Sequence, residues 1–300
     1  MALLEILRDS LVLWLFVVAL LGLLVGSFLN VVIHRLPVML KRQWRRDCVE
    51  YLGEAGEIDL AKHATAGEAP YNLVAPRSAC PHCGHKITAL ENIPVLSYLI
   101  LRGRCSECRA KISIRYPLVE SLCALLVVAV AWRFGVTVEA GAAMLLTWAL
   151  LSLSLIDYDH QYLPDQITLP FLWLGLFLNL DGMFAPDLAS AVIGAAVGYL
   201  ILWSVYQIFK RLTGKEGMGF GDFKLLAMLG AWLGWQALPA IILLSSLVGA
   251  VIGISLIALR RHERSVPIPF GPYLAIAGWI MLVWGDEINA AYLRWVGMGT

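Results

Sequence analysis

Four cysteines lie in two closely spaced pairs within one polar stretch of the chain. They form the pattern C-x2-C-x21-C-x2-C, made by Cys80, Cys83, Cys105 and Cys108. Two such pairs can offer four thiolates to one Zn²⁺ ion, and a closed set of four sulfurs leaves no open position for catalysis. The pattern therefore predicts a structural zinc site. Two disulfide bonds are the alternative, and His82 and His85 are candidate replacement ligands.

Two acidic motifs supply the candidates for acid–base chemistry. The segments "IDYDHQYLPD" and "GMGFGDFK" contain Asp157, Asp159, Asp165 and Asp222. Two carboxyl groups that share a proton can act as a base on water and as an acid toward a carbonyl oxygen. The sequence has no Ser-His-Asp pattern, HExxH motif or Walker loop that would compete. Helix capping or plain solvation is the alternative for each acid, and an N-cap role is the default for Asp165.

The composition indicates that these residues belong to a membrane protein. Of the 300 residues, 59% are hydrophobic and only 15% are charged, whereas soluble domains carry about 25% charged residues. The net charge of +1 gives no indication of nucleic-acid binding, so no nucleic-acid partner is expected.

Uncharged stretches predict about eight transmembrane helices. The first is expected to be retained, because it lacks the basic start and small-residue cleavage site of a signal peptide. The uncharged run 225–259 is too long for one crossing and should split near Gly234 to Gln236 and Pro239. The predicted spans are residues 11–33, 117–132 (interrupted by Glu120), 140–156, 166–180, 188–209, 218–238, 239–259 and 265–285.

The basic residues predict the orientation of these spans. All Lys and Arg residues except Arg8, Arg133 and Arg294 fall in the segments 34–116, 157–165, 210–224 and 260–264, which are alternate connections when the sixth span is counted from Leu225. By the positive-inside rule those connections are cytoplasmic and both termini lie outside. The cysteine pairs are then in a reducing compartment, which favours zinc over disulfides.

Span length also predicts the depth of two of the acids. The run after Lys224 is too short to cross a bilayer alone, so the span should include Asp222 near its cytoplasmic end. The short run 140–156 places Asp157 at a similar depth. Asp157 and Asp159 point about 200° apart on one helix, so only one of them can face the interior of a bundle. Ionisable groups at such depth are costly and usually functional.

The expected fold is an all-α polytopic membrane protein with a cytoplasmic zinc-binding module inserted after the first helix. The predicted parts are a first span at 1–33, a cytoplasmic domain at 34–116 and a seven-helix membrane domain at 117–300.

The motifs resemble the type IV prepilin peptidases, bifunctional leader peptidases and N-methyltransferases, along nearly the whole chain. The matching segments are "GSFLNVVIHRLP", the paired CxxC with "ENIPVLSYLILRGRC" between the pairs, "ISIRYPLVE", "IDYDHQYLPD" and "GMGFGDFKLLAMLG". The last contains the GxGD signature, which is shared with preflagellin peptidases and, more distantly, presenilin-type proteases.

The resemblance implies an aspartic protease in the bacterial inner membrane. Its D-x6-P pattern places the first catalytic acid at Asp157, and its GxGD motif places the second at Asp222. The implied substrates are prepilins and pseudopilins, cut on the cytoplasmic side after a short basic leader. The new N-terminus is then methylated with S-adenosylmethionine. The substrate's hydrophobic helix would lie among the membrane lipids.

Some roles stay open in the sequence. No GxGxxG motif marks a site for S-adenosylmethionine, and Glu91, Asn92, Arg115 and Tyr116 are equally explained by folding of the zinc module or by the start of a helix. The glycines before Asp222 permit either flexibility or close approach of the backbone. Lys224 is expected to extend its amine to the lipid headgroups. A transporter with an aspartate relay and a methyltransferase with an idle protease half are the rival functions.

Overall fold

The structure is a computed structural model that describes residues 2–55, 70–184, 186–258 and 269–295. The described residues form α-helices with short connections, and two isolated β-bridges lie among the cysteines. The helices are α1 (Ala2–Asp9), α2 (Leu11–Glu54), α3 (Leu96–Ile100), α4 (Arg115–Phe134), α5 (Val138–His160), α6 (Asp165–Leu178), α7 (Leu188–Thr213), α8 (Phe220–Leu233), α9 (Leu238–Ala258) and α10 (Gly271–Trp295).

Within the described residues, five helical segments are long and apolar enough to cross a membrane, which fits the predicted multi-pass membrane protein. They are α2, α4, α5, α7 and the segment Trp235–Ser255, and α6 is a shorter apolar helix. A helix covers most of each of the eight predicted spans. Helix positions therefore agree with the uncharged runs, while the number of eight crossings stays a prediction.

Contacts group the chain into two compact units, residues 16–126 and residues 1–15 together with 127–300. The first contains the cysteine pairs, and the second contains both acidic motifs. The predicted division into 1–33, 34–116 and 117–300 concerns the sides of the membrane and stays a prediction.

The uncharged run 225–259 is divided between two helices at Gly234, where the sequence predicted a break. Gly234 has a φ of 76°, and a short 3-10 turn, Trp235–Ala237, leads into α9. The buried Asn179 amide donates to the carbonyl oxygens of Ala231 at 3.0 Å and Trp232 at 3.3 Å. Carbonyl groups in the last turn of a helix have no partner within that helix, so the Asn179 side chain satisfies the end of α8.

Helix α8 is the buried centre of the second unit. Apart from Lys224, residues Asp222 to Trp232 are buried, and α7, α6 and α10 pack around the helix. The expected helical span over 218–238 was wrong in its bounds, because α8 has 14 residues. At about 1.5 Å per residue it is about 21 Å long. A helix this short is stable here because neighbouring helices, rather than lipid, cover its apolar side chains.

Small residues let α7 and α8 cross with their backbones in contact. A Cβ built on Gly194 would collide with the carbonyl oxygen of Gly230, and a Cβ on Gly230 would collide with that of Gly194. Gly198, one turn further along α7, would place a Cβ 2.7 Å from the Leu226 carbonyl oxygen. This is the small-xxx-small pattern by which membrane helices approach closely.

Gly230→Ala is expected to destabilise the protein, because the added methyl group must push two helix backbones apart. Overpacking of this kind costs about 1–3 kcal/mol. Gly141→Ala is the matched control, since a Cβ at Gly141 meets nothing within 4 Å. Alanine there should stabilise α5 by about 0.5–1 kcal/mol through helix propensity. Thermal unfolding in detergent measures both, and equal midpoints for the two variants would contradict the close crossing.

Candidate active site and metal centre

Asp157 lies in the last turn of α5 with its carboxyl group turned inward. The residue is only 6% exposed, and its Oδ2 accepts the backbone N–H of Gly271, the first residue of α10, at 3.1 Å. Asp159, two residues later, lies on the exposed side of the helix. The prediction that only one of these two acids faces the interior is confirmed, and Asp157 is that acid.

Asp222 lies in the first turn of α8 and is also buried, at 8% exposure. Its backbone N–H donates to the carbonyl oxygen of Gly219, the extended residue that precedes the helix, at 3.2 Å. The Asp157 carboxylate lies close enough for its charge to act on the Asp222 carboxyl group. The structure therefore brings together two acids that are far apart in the sequence.

Leu163 packs between the segments that carry the two acids. A Cβ on Gly221 would lie 2.9 Å from the Leu163 Cβ. A Cβ on Gly271 would lie 3.3 Å from the Leu163 Cδ1 and 2.6 Å from the Asp157 Oδ2. Glycine at both positions thus lets the starts of α8 and α10 approach the end of α5. For Gly221, the structure decides between the two roles left open by the sequence in favour of close approach.

The loop before Asp222 is fastened to the end of α7. The Lys210 Nζ donates to Glu216 Oε1 at 2.7 Å, and the Tyr206 hydroxyl donates to the same oxygen at 3.2 Å. The Lys210 ammonium keeps the pKa of Glu216 below its usual range. A Cβ on Gly217 would lie 2.8 Å from the Phe209 ring. These contacts fix the conformation of the glycine-rich segment that leads into α8.

Lys224 forms an ion pair, so the expectation that its amine extends to lipid headgroups was wrong. Its Nζ lies 2.7 and 2.8 Å from the two carboxylate oxygens of Asp165. Asp165 was expected to cap α6, but Pro164 occupies the N-cap position and Asp165 is the first helical residue. The ion pair connects the second turn of α8 to the start of α6. The two acidic motifs are thus in contact at a second place, apart from the buried carboxyl groups of Asp157 and Asp222.

The four predicted zinc ligands converge in the first unit. Their Sγ atoms all lie within 4.8 Å of one another, with 3.8 Å between Cys80 and Cys108 and 4.0 Å between Cys83 and Cys105. Four sulfurs placed tetrahedrally around Zn²⁺ at about 2.3 Å are about 3.8 Å apart. All six cysteines carry free thiols. The cysteine pairs therefore do not form the two disulfide bonds that were the alternative to zinc. The donor set and spacing fit a structural zinc ion.

Each cysteine pair forms the same tight turn. The Cys80 N–H donates to the His85 carbonyl oxygen at 2.9 Å, and the Cys105 N–H donates to that of Ala110 at 2.8 Å. The residue after each pair, Gly84 or Arg109, has a positive φ. Backbone N–H groups then point at the sulfurs. Those of Cys83 and His82 lower the pKa of Cys80 to about 7, which favours the thiolate form that binds metal.

A histidine and two glutamates connect the two turns. The His85 Nε2 lies 3.1 Å from Glu91 Oε2, and its Nδ1 lies 2.7 Å from Glu107 Oε2. Both ring nitrogens are thus engaged away from the sulfur cluster, and the suggested replacement of a cysteine ligand by His85 was wrong. Hydrogen bonds from Ser106, Thr88 and His85 hold the pKa of Glu91 at about 2. These contacts give Glu91 a role in the fold of the module.

Two family descriptions match the sequence. "Bacterial Peptidase A24 N-terminal domain" matches residues 20–134, and "Type IV leader peptidase family" matches residues 144–254. The first range contains the cysteine cluster and the second contains both buried acids. The structure has helical segments that can cross a membrane, buried carboxyl groups and a four-thiol site. Together these features define a multi-pass membrane protein of the class that the two descriptions name.

Curated relatives named "Prepilin leader peptidase/N-methyltransferase" match most of the chain. The protein of Stutzerimonas stutzeri is 61% identical over 91% of this chain and 92% of its own length. That of Pseudomonas aeruginosa is 62% identical over 93% of each, and that of Aeromonas hydrophila is 62% identical over 93% of this chain and 94% of its own. No solved structure matches. The chain belongs to the prepilin leader peptidase/N-methyltransferase family.

Proposed function

We propose that the chain is a membrane aspartic endopeptidase and N-methyltransferase. It removes the basic leader of type IV prepilins and pseudopilins and methylates the new N-terminal residue with S-adenosylmethionine. The observation that carries the protease half is the burial of Asp157 and Asp222 at one place, each within a motif of the family. The methyltransferase half is supported by the relatives, which are named as N-methyltransferases as well as leader peptidases.

Asp157 is assigned as the base and Asp222 as the acid. The Gly271 N–H donates to Asp157 Oδ2 and stabilises a negative charge there. The Asp157 carboxylate takes a proton from water, and the resulting hydroxide attacks the carbonyl carbon of the scissile peptide bond. The Asp222 carboxyl group donates its proton toward the carbonyl oxygen. Breaking the C–N bond then passes the proton on Asp157 to the leaving amine and returns the carbonyl proton to Asp222.

The predicted topology suits this substrate. Positive-inside orientation places both acids near the cytoplasmic face of the bacterial inner membrane. A prepilin with a hydrophobic helix in the bilayer and a basic leader in the cytoplasm presents its cleavage site at that boundary. Zinc bound by Cys80, Cys83, Cys105 and Cys108 would stabilise the module and take no part in the hydrolysis.

A two-readout assay tests the proposal. Purified protein in liposomes is incubated with a prepilin peptide and S-adenosylmethionine, and mass spectrometry follows leader loss and methyl addition. Both changes are expected. A transporter with an aspartate relay would give neither, and a methyltransferase with an idle protease half would modify only a peptide that was already cut.

Lys224→Ala is expected to retain most of the cleavage activity, because Lys224 pairs with Asp165 rather than with a buried acid. The two side chains are partly exposed, and such pairs contribute about 0–1 kcal/mol. Asp165→Asn should have a similarly small effect, and the double variant should lose no more than either single change. Cleavage rates and unfolding midpoints of the three variants form the test. Complete inactivity of a folded Lys224→Ala protein would contradict a purely connecting role.

A further inference from the structure

The unit that holds the cysteines exposes an apolar segment between its two cysteine turns. Residues 92–101, "NIPVLSYLIL", contain no charged side chain and include the short helix α3. Leu99 is 64% exposed and Ile100 is 76% exposed, and Leu96 is also exposed. Exposed apolar groups in such a cluster usually mark a surface that something else covers.

Contacts between α2 and α4 fix the depth of this region relative to the membrane. The two helices pack side by side, and a Cβ on Gly26 would lie 2.8 Å from the Glu120 Cα. The Asn30 side chain donates to the Tyr116 carbonyl oxygen at 3.2 Å. Gly26 lies seven residues before the end of the uncharged stretch 11–33, which is about 10 Å along a helix. Glu120 is therefore inside the apolar layer that α2 crosses.

Glu120 holds the start of α3 at this depth. Its buried carboxyl group accepts the Val95 N–H at 2.8 Å through Oε2 and also bonds the Ser27 side chain. Val95 has a φ of 60°, and the Leu96 N–H closes a three-residue turn on the Pro94 carbonyl oxygen at 2.6 Å. A positive φ is strained for a β-branched residue. The buried carboxylate compensates for this strain and joins the turn to a membrane-spanning helix.

We propose that residues 93–101 form a shallow re-entrant segment, and that lipid acyl chains cover Leu96, Leu99 and Ile100. The chain enters the leaflet after Glu91 and Asn92, turns at Val95 beside Glu120 and leaves at Arg102. Three observations favour lipid as the occupant: the depth of Glu120, the absence of charge between Asn92 and Leu101, and the return of charge at Arg102 and Arg104. An uncharged stretch of about 10–14 residues is too short to span a bilayer and fits either a buried helix or a re-entrant segment, and the exposure of Leu96, Leu99 and Ile100 favours the second.

Spin-label accessibility in liposomes tests this placement. A ketone-bearing amino acid replaces Leu99 by codon suppression and carries a nitroxide, which leaves the zinc thiols untouched. Dissolved oxygen concentrates in acyl chains, whereas a nickel chelate stays in water. The ratio of oxygen to nickel collisions at Leu99 should be several-fold higher than at Val74, and should match Leu125 on α4. Val74 is exposed in a polar loop, and Leu125 is exposed on a helix that can cross a membrane.

The other outcomes contradict the proposal. A collision ratio at Leu99 equal to that at Val74 would place the segment in water. Low access to both reagents would mean that a protein surface, such as a substrate helix or a second copy of this chain, covers it. In the labelled protein, Glu120→Ala should raise nickel access at Leu99 by releasing the Val95 turn, while Glu120→Gln, which keeps an acceptor oxygen, should not. Zinc content of each variant verifies that the module is folded.

Discussion

Asp157→Asn and Asp222→Asn are each expected to abolish leader cleavage. Asparagine keeps the size of the side chain but cannot take or give up the proton that the hydrolysis requires. General acid–base catalysis contributes about 10²–10⁴-fold for each group, so each variant should fall by at least this factor. Gel mobility and mass spectrometry of a prepilin peptide, recorded with both variants in liposomes, measure the loss.

Asp159→Asn is the matched control, because Asp159 lies in the same turn of α5 but on its exposed side. This variant should cleave at nearly the rate of the unmodified protein. Both inactive variants should still methylate a peptide that was already cut, which separates loss of the acids from loss of the fold. Cleavage that survives in Asp157→Asn or in Asp222→Asn would end the assignment of the pair.

Cys105→Ser is expected to remove zinc and to unfold the module around it. Cys105 is the buried member of the cluster, and its sulfur lies 4.0 Å from that of Cys83. A structural Zn²⁺ ion contributes about 10–16 kcal/mol of apparent binding free energy in small zinc modules. Three remaining thiolates would hold it far less well. Metal analysis should show about one zinc per chain in the unmodified protein and almost none in the variant.

Cys48→Ser provides the control for this prediction, because Cys48 lies on α2 outside the cluster. It should bind zinc normally. Limited proteolysis should cut the Cys105→Ser variant between residues 70 and 114 while leaving the Cys48→Ser variant resistant there. Unchanged zinc content in Cys105→Ser would show that the cluster is not the metal site.

Local patterns in the sequence predicted the helices and the cluster, because each depends on neighbouring residues. Uncharged runs gave the helix positions, and two CxxC pairs gave four converging sulfurs. Helical periodicity allowed only one of Asp157 and Asp159 to face inward, and only the family resemblance chose between them. The bounds of α8 were missed, since packing rather than length stabilises that helix.

Contacts between distant residues could not be predicted in the same way. Lys224 and Asp165 are 59 positions apart. Each could pair with several other charged residues near the ends of the helices, so the sequence alone does not select this pair. The hydrogen bond from Val95 to Glu120 depends on a backbone conformation that a valine rarely adopts. Its only sequence signal was a glutamate inside an apolar run, which marks a functional position without naming the partner.

The shortness of α8 predicts that the cleavage rate depends on the thickness of the bilayer. The helix is about 21 Å long, whereas the hydrocarbon layer is about 30 Å thick. If its far end lies at one edge of that layer, the helix begins about 9 Å below the other edge. Asp222 is in the first turn, so in this placement the peptide bond and the attacking water would descend at least this distance to reach it. Lipids with longer tails lengthen the descent, and shorter tails reduce it.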